Sequence, residues 1–166
     1  MRATVVAILS LLVVAVAAMV QARTYELTLL DPSTKALCND GSPAGFYVSL
    51  NESSTEWIIH VQGEAENYKS GSVEFCYDDV SCAARATELT SSKTWPQTLQ
   101  EQGGILSDNV KTNPDFFSLN RVIVKYCTSD LYTGTSSYKM PATGFVFMGS
   151  YVLPAVLNSV TQLKNF

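Results

Sequence analysis

Apolar and polar positions along the chain predict strands first, then a helix, a strand and a second helix. Tyr25 to Leu30 alternates well enough for a β-strand, and Phe46 to Leu50 gives a second. Between them, Cys38-Asn39-Asp40-Gly41-Ser42-Pro43 is dense in turn formers and predicts a loop or hairpin connection. Glu56-Trp57-Ile58-Ile59-His60-Val61-Gln62 is apolar on both faces, as a strand inside a covered sheet would be. Asp78 to Leu89 reads as a helix, with Asp78 and Asp79 at its start, where negative charge complements the macrodipole. Ser91-Ser92 and Trp95-Pro96 end it. Gln102 to Ser107 is a loop, and Asn113-Pro114 begins a turn. Arg121 to Cys127, with its β-branched centre, is the best strand in the chain. Thr128 to Ala142 is rich in Ser, Thr and Gly and predicts a surface loop. Phe145 to Leu163 reads as a helix with Pro154 inside it as a kink or restart. This order predicts an α/β sheet rather than an all-β sandwich. A βα unit closing at Phe166 should lead into another parallel strand, so the sheet is expected to be incomplete.

The start of the chain follows a different logic. Met1-Arg2 precedes the almost purely apolar Ala3 to Met19, and Val20-Gln21-Ala22 fits a small-residue cleavage rule. This predicts a secretory signal peptide, residues 1–22, and a domain at 23–166. The competing reading is an uncleaved anchor, since the run lies near the lower limit of a bilayer span. No later segment resembles a span, so a secreted, extracellular protein is expected. The hydrophobic fraction of 46% is that of a globular chain. A formal charge of −4 without a Lys/Arg cluster argues against nucleic acid or an anionic membrane as a partner.

Four cysteines, Cys38, Cys76, Cys82 and Cys127, point to two disulfides in an exported chain. Three pairings are possible. The favoured one joins Cys76 to Cys82 in a short local loop and Cys38 to Cys127, tying the first strands to a central one. A metal site is the rival reading. It lacks a C-x-x-C pair and has only His60 to draw on, so neither a metal nor a cofactor is expected. Asn51-Glu52-Ser53 is an acceptor sequon that makes Asn51 a candidate glycosylation site. Trp57, Trp95, Phe116 and Phe117 could stack on sugar, but aromatic residues are core material first.

Several stretches, in order, resemble the Notum/pectin acetylesterase family. Cys38 to Tyr47 is similar to the family's opening motif, and Trp57 to Gly63 to its strand leading into the oxyanion loop. Cys76-Tyr77-Asp78-Asp79-Val80-Ser81-Cys82, with Ala83 and Arg85, is similar to the disulfide and helix that follow. Ser91 to Thr98 resembles the Notum branch in particular. Gly104-Ile105-Leu106-Ser107, Asn113 to Phe117, Val124 to Asp130 and Phe147-Met148-Gly149 continue the match. The resemblance implies an incomplete α/β-hydrolase-type sheet with flanking helices, ending before the strand that would carry the nucleophile elbow. It also implies an ester substrate: acetyl groups on polysaccharide in one branch, a lipid acyl group on a protein in the other.

Ester cleavage on such a fold needs an activated serine, a histidine and an acid. The serine belongs on a G-x-S-x-G turn. Gly71-Ser72, Gly134-Thr135-Ser136 and Gly149-Ser150 all lack the flanking pattern, so no catalytic residue is assigned. His60 sits on a predicted strand with no evident serine and acid to serve it. Gln62-Gly63 begins the oxyanion loop as the family does. Glu64 to Phe75 then stands where the resemblance implies about three residues, with Glu64 and Glu66 opposing an oxyanion's charge. Gly63 and Glu64 are therefore an oxyanion-loop remnant, and an error in the gene model there is the alternative. Three functional readings follow. The chain is a truncated or degenerate carboxylesterase homologue without catalysis, an incomplete record of an active one, or a non-catalytic module binding acetylated polysaccharide or an acylated protein.

Overall fold

The computed structural model describes residues 23–63, 75–85, 87–100 and 102–163. The expected signal peptide at 1–22, Glu64 and most of the inserted stretch lie outside the described residues. Five strands form one mixed sheet: β1 (Tyr25–Leu29), β2 (Gly45–Ser49), β3 (Trp57–Val61), β4 (Thr98–Leu99) and β5 (Asn120–Val124). Their order is β3-β5-β2-β1-β4. β3 pairs with β5 in parallel, and all other neighbours are antiparallel. Among the described residues, helices α1 (Asp79–Ala83) and α2 (Val152–Val160) complete the regular structure, with short 3-10 turns between elements.

The period of two in β5 divides the core. Val122 and Val124 face a large cluster with Phe46, Trp95, Cys38 and Cys127, closed by Val152, Ala155, Val156 and Val160 of α2. These α2 positions lie three to four residues apart, one face of a helix. Ile123 turns the other way, toward Tyr25, Tyr47 and Leu106. Arg121 shares that side, and although fully buried it donates to the carbonyls of Ser107, Phe116 and Phe117. That clamp holds the long connection before β5 against the sheet.

Several expectations need correction. The strand predicted at Arg121 to Cys127 stops at Val124, because Cys127 turns into a disulfide with Cys38. Among the described residues β3, expected inside a covered sheet, is an edge strand with no fully buried residue. The helix predicted over Asp78 to Leu89 is one turn of α and a separate 3-10 turn at Thr87–Leu89. Asp78 caps α1, and at its other end the Arg85 N–H donates three residues back to the Cys82 carbonyl, the tighter bond that closes a last turn. The helix predicted from Phe145 begins only at Gly149–Tyr151, because Phe147 exchanges backbone bonds with Ser136. Pro154 falls in the first turn of α2, where its missing N–H costs no helical bond, so it marks a start and not a kink. β4, a two-residue strand pairing with Tyr25 and Glu26, carries too short a pattern to be read from sequence.

Candidate active site at the carboxyl ends of two parallel strands

Because β3 and β5 are parallel, both end at one edge of the sheet, at Val61 and Val124. In α/β sheets that edge is where ligands bind, since the loops leaving the strands converge there. The Gln62 N–H still donates to the Val124 carbonyl at 3.0 Å, so Gly63 is the first residue past the ladder.

The loop after β5 is organised by Asp130. Its Oδ1 accepts from Thr128 Oγ1 at 2.6 Å and from the Tyr132 N–H at 3.0 Å. Its Oδ2 accepts from the amides of Gly134 at 3.1 Å and Gly149 at 2.8 Å, which ties the turn to the start of α2. A Cβ at either glycine would run into the Asp130 carboxylate, so the contact requires both. The backbone between is held in the left-handed region at three non-glycine residues, Ser129, Leu131 and Tyr132, with φ of 52°, 53° and 60°. Such residues are uncommon and gather where surrounding structure over-determines a conformation, often at functional turns.

Four neighbours supply that constraint. The Tyr132 hydroxyl reaches back to β3 and donates to the Gln62 carbonyl at 2.8 Å. Its ring lies 5.1 Å from that of Tyr126, whose hydroxyl accepts from the Leu131 N–H. Burial first, then Tyr126 and Asp130 beside it, raise the pKa of the Tyr132 hydroxyl above the ordinary tyrosine value. It therefore remains a protonated donor at neutral pH. Ser129 Oγ donates to Asn39 Oδ1, while Asn39 Nδ2 donates to the carbonyls of Thr128 and Val146. The Cys76 N–H donates to the Ser129 carbonyl at 3.1 Å, docking the Cys76–Cys82 disulfide on the turn. A cleft of about 290 Å³ opens between Cys76, Asp130, Leu131 and Phe147.

The residues singled out from sequence fall in different places. Gly63 stands at this edge, and Glu64 lies outside the described residues. His60, opposite Ile123 in register, lies on the Ile58 side of the sheet, whereas Tyr132 and Cys127 belong to the α2 side. Asn51 joins β2 to β3. It is half-buried, its Nδ2 donates to the Ser118 carbonyl, and its Oδ1 accepts from the Ser53 N–H. Among the described residues no group of three His, Cys, Asp or Glu side chains could hold a metal ion. Thr128 and Ser129 were expected in a surface loop; they are buried, because Asn39 binds the Thr128 carbonyl and the Ser129 hydroxyl while Asp130 accepts from the Thr128 hydroxyl. Asp130, Tyr132 and Asn39 carry the architecture of this edge. The only sequence signal for Asn39 and Asp130 is membership of the two motifs Cys38 to Tyr47 and Val124 to Asp130, which meet here; Tyr132, two residues past the second motif, carries none.

The pectinacetylesterase family profile matches residues 18–165. The chain belongs to the pectinacetylesterase family. Within that family it is 34% identical over 147 residues to palmitoleoyl-protein carboxylesterase NOTUM of Schmidtea mediterranea, covering 86% of this chain and 26% of the relative. Identity to the human NOTUM of the same name is 32% over 131 residues, covering 77% and 24%. The crystal structure of the Drosophila Wnt deacylase Notum superimposes with a TM-score of 0.71 at 32% identity, over 84% of this chain and 38% of that one. This pectinacetylesterase-family chain thus spans about a quarter of the length of the curated relatives it matches. Its mixed five-stranded sheet with few helices fits part of an α/β-hydrolase fold.

Proposed function

We propose that these residues build one wall of a carboxylic-ester hydrolase site without supplying the nucleophile, and have no turnover of their own. One observation carries the reading. The edge where β3 and β5 end offers the Gly63 backbone and a cleft beside Asp130, yet the 166 residues contain no G-x-S-x-G turn to place a serine there. A backbone N–H aimed at a developing oxyanion can stabilise charge, but it cannot accept an acyl group. Among ester classes, likeness to palmitoleoyl-protein carboxylesterases favours a lipid-acylated protein over acetylated polysaccharide. A leader at 1–22 would deliver the protein outside the cell. The purified chain, given a chromogenic acetyl ester, is expected to show no turnover above its unfolded control. Serine-dependent turnover would sink the proposal.

A second reading is favoured by β3. Its apolar residues lie at an open edge, with no strand beyond it among the described residues, and the chain matches only a quarter of its relatives. Under that reading these residues are part of a longer, active carboxylesterase. Transcript reads continuing past Phe166 into a strand and a serine elbow would establish it, and a stop codon there in independent reads would remove it. The same reads crossing 64–75 would test the insertion.

A further inference from the structure

We infer that Tyr132 is a positioning residue for the peptide between Gln62 and Gly63, its hydroxyl fixing the Gln62 carbonyl and thereby the direction of the Gly63 N–H. The peptide unit is planar and trans, so its C=O and N–H point in opposite directions and cannot be aimed independently. Anchoring the oxygen at 2.8 Å therefore sets the line of the nitrogen's hydrogen. Packing gives little help at this point. A Cβ built on Gly63 would meet nothing within 4 Å, and glycine leaves the backbone a wide range of conformations. The anchor is itself held by the left-handed turn at Ser129 to Tyr132, by the four bonds to Asp130 and by the Tyr126 ring. Rigidity at α2 is thus carried through Gly149, Asp130 and Tyr132 to the first residue beyond β3. Only the use of the Gly63 N–H as a donor to a substrate oxygen rests on the proposed ester-hydrolase function.

Tyr132→Phe tests this, because it keeps the ring on Tyr126 and removes one hydroxyl. In the oxidised, isotope-labelled chain, the Gln62 carbonyl carbon and the Gly63 amide nitrogen should both move upfield as that hydrogen bond is lost. The Gly63 order parameter should fall from the rigid-backbone range of about 0.85 to below about 0.6. Signals of Ile58 and Val122 should stay in place. Unmoved Gln62 and Gly63 signals would overturn the inference. So would changes spread evenly over β3 and β5, which would make the hydroxyl a general packing element. None of these outcomes depends on turnover, so an inactive chain would leave this inference standing, and an unmoved Gly63 would leave the ester-hydrolase reading standing.

Discussion

β3 and β5 lie side by side, parallel and equally long: Trp57-Ile58-Ile59-His60-Val61 against Asn120-Arg121-Val122-Ile123-Val124. Every residue of β5 is buried, and none of β3 is fully so. Position accounts for the difference. β5 has a neighbour on each side, β2 and β3, whereas β3 has β5 alone among the described residues. A strand's apolar pattern records the environment it suits, and its place in the sheet decides how much of that environment it receives. Exposed flat edges of this kind invite pairing with another chain.

The covalent staples sharpen the contrast most. Cys38–Cys127 fastens the segment after β5 across a separation of 89 residues, while Cys76–Cys82, docked on the turn after β5 through the Cys76 N–H, closes only six, and neither ties down β3. Chain-entropy arguments give about 4–5 kcal/mol for the long loop and about 2 kcal/mol for the short one. Urea unfolding of the Cys38→Ala/Cys127→Ala and Cys76→Ala/Cys82→Ala pairs should reproduce that order. Equal losses would mean that the long-range link locks the fold no more than the local one. Reduction with dithiothreitol should lower the thermal midpoint strongly, and an unchanged midpoint would count against both estimates.

Next in size are matched truncations on one face of the two strands. Ile123→Ala removes a fully buried side chain and should cost about 3 kcal/mol; Ile58→Ala, half-exposed on β3, should cost about 1 kcal/mol. If the denaturant midpoints fall equally, β3 is as well packed as β5 and the comparison fails.

A smaller effect concerns the loop beside Cys38. Burial opposes ionisation of Asp40, but bonds from Lys93, at 2.9 Å, and from Ser42 and Ser91 outweigh it and hold the carboxyl at about 2. A carboxyl whose folded pKa is depressed stabilises the fold above its unfolded value and loses that stabilisation as pH falls toward the folded one. Since solvent reaches this pair, about 1 kcal/mol should be lost between about pH 4 and pH 2. Asp40→Asn should flatten that part of the stability profile. A slope that persists in the variant would assign it to other carboxylates.

Much of this fold is legible in the sequence. The β-branched run at Val122 to Val124 and the alternation in Tyr25 to Leu30 give strands whose neighbours complete them. Which strand sits at an edge is not encoded locally, so Trp57 to Val61 misleads. Thr128 and Ser129 mislead for a related reason. Polar residues read as exposed until a partner is found, and Asn39 lies about ninety positions away. Phe147 fits the apolar period of a helix, yet its pairing with Ser136 overrides that preference. For the candidate site, Gly63 is visible from its resemblance, while the role of Tyr132 depends on a left-handed turn that no residue type in Thr128 to Gly134 announces.

The central claim is that these residues frame an ester site but hold no activated serine. The most direct measurement is to treat the folded, oxidised chain with a fluorophosphonate and map adducts by mass spectrometry. The account predicts no adduct on any serine between Ser33 and Ser159. A single stoichiometric adduct that disappears on unfolding would contradict it.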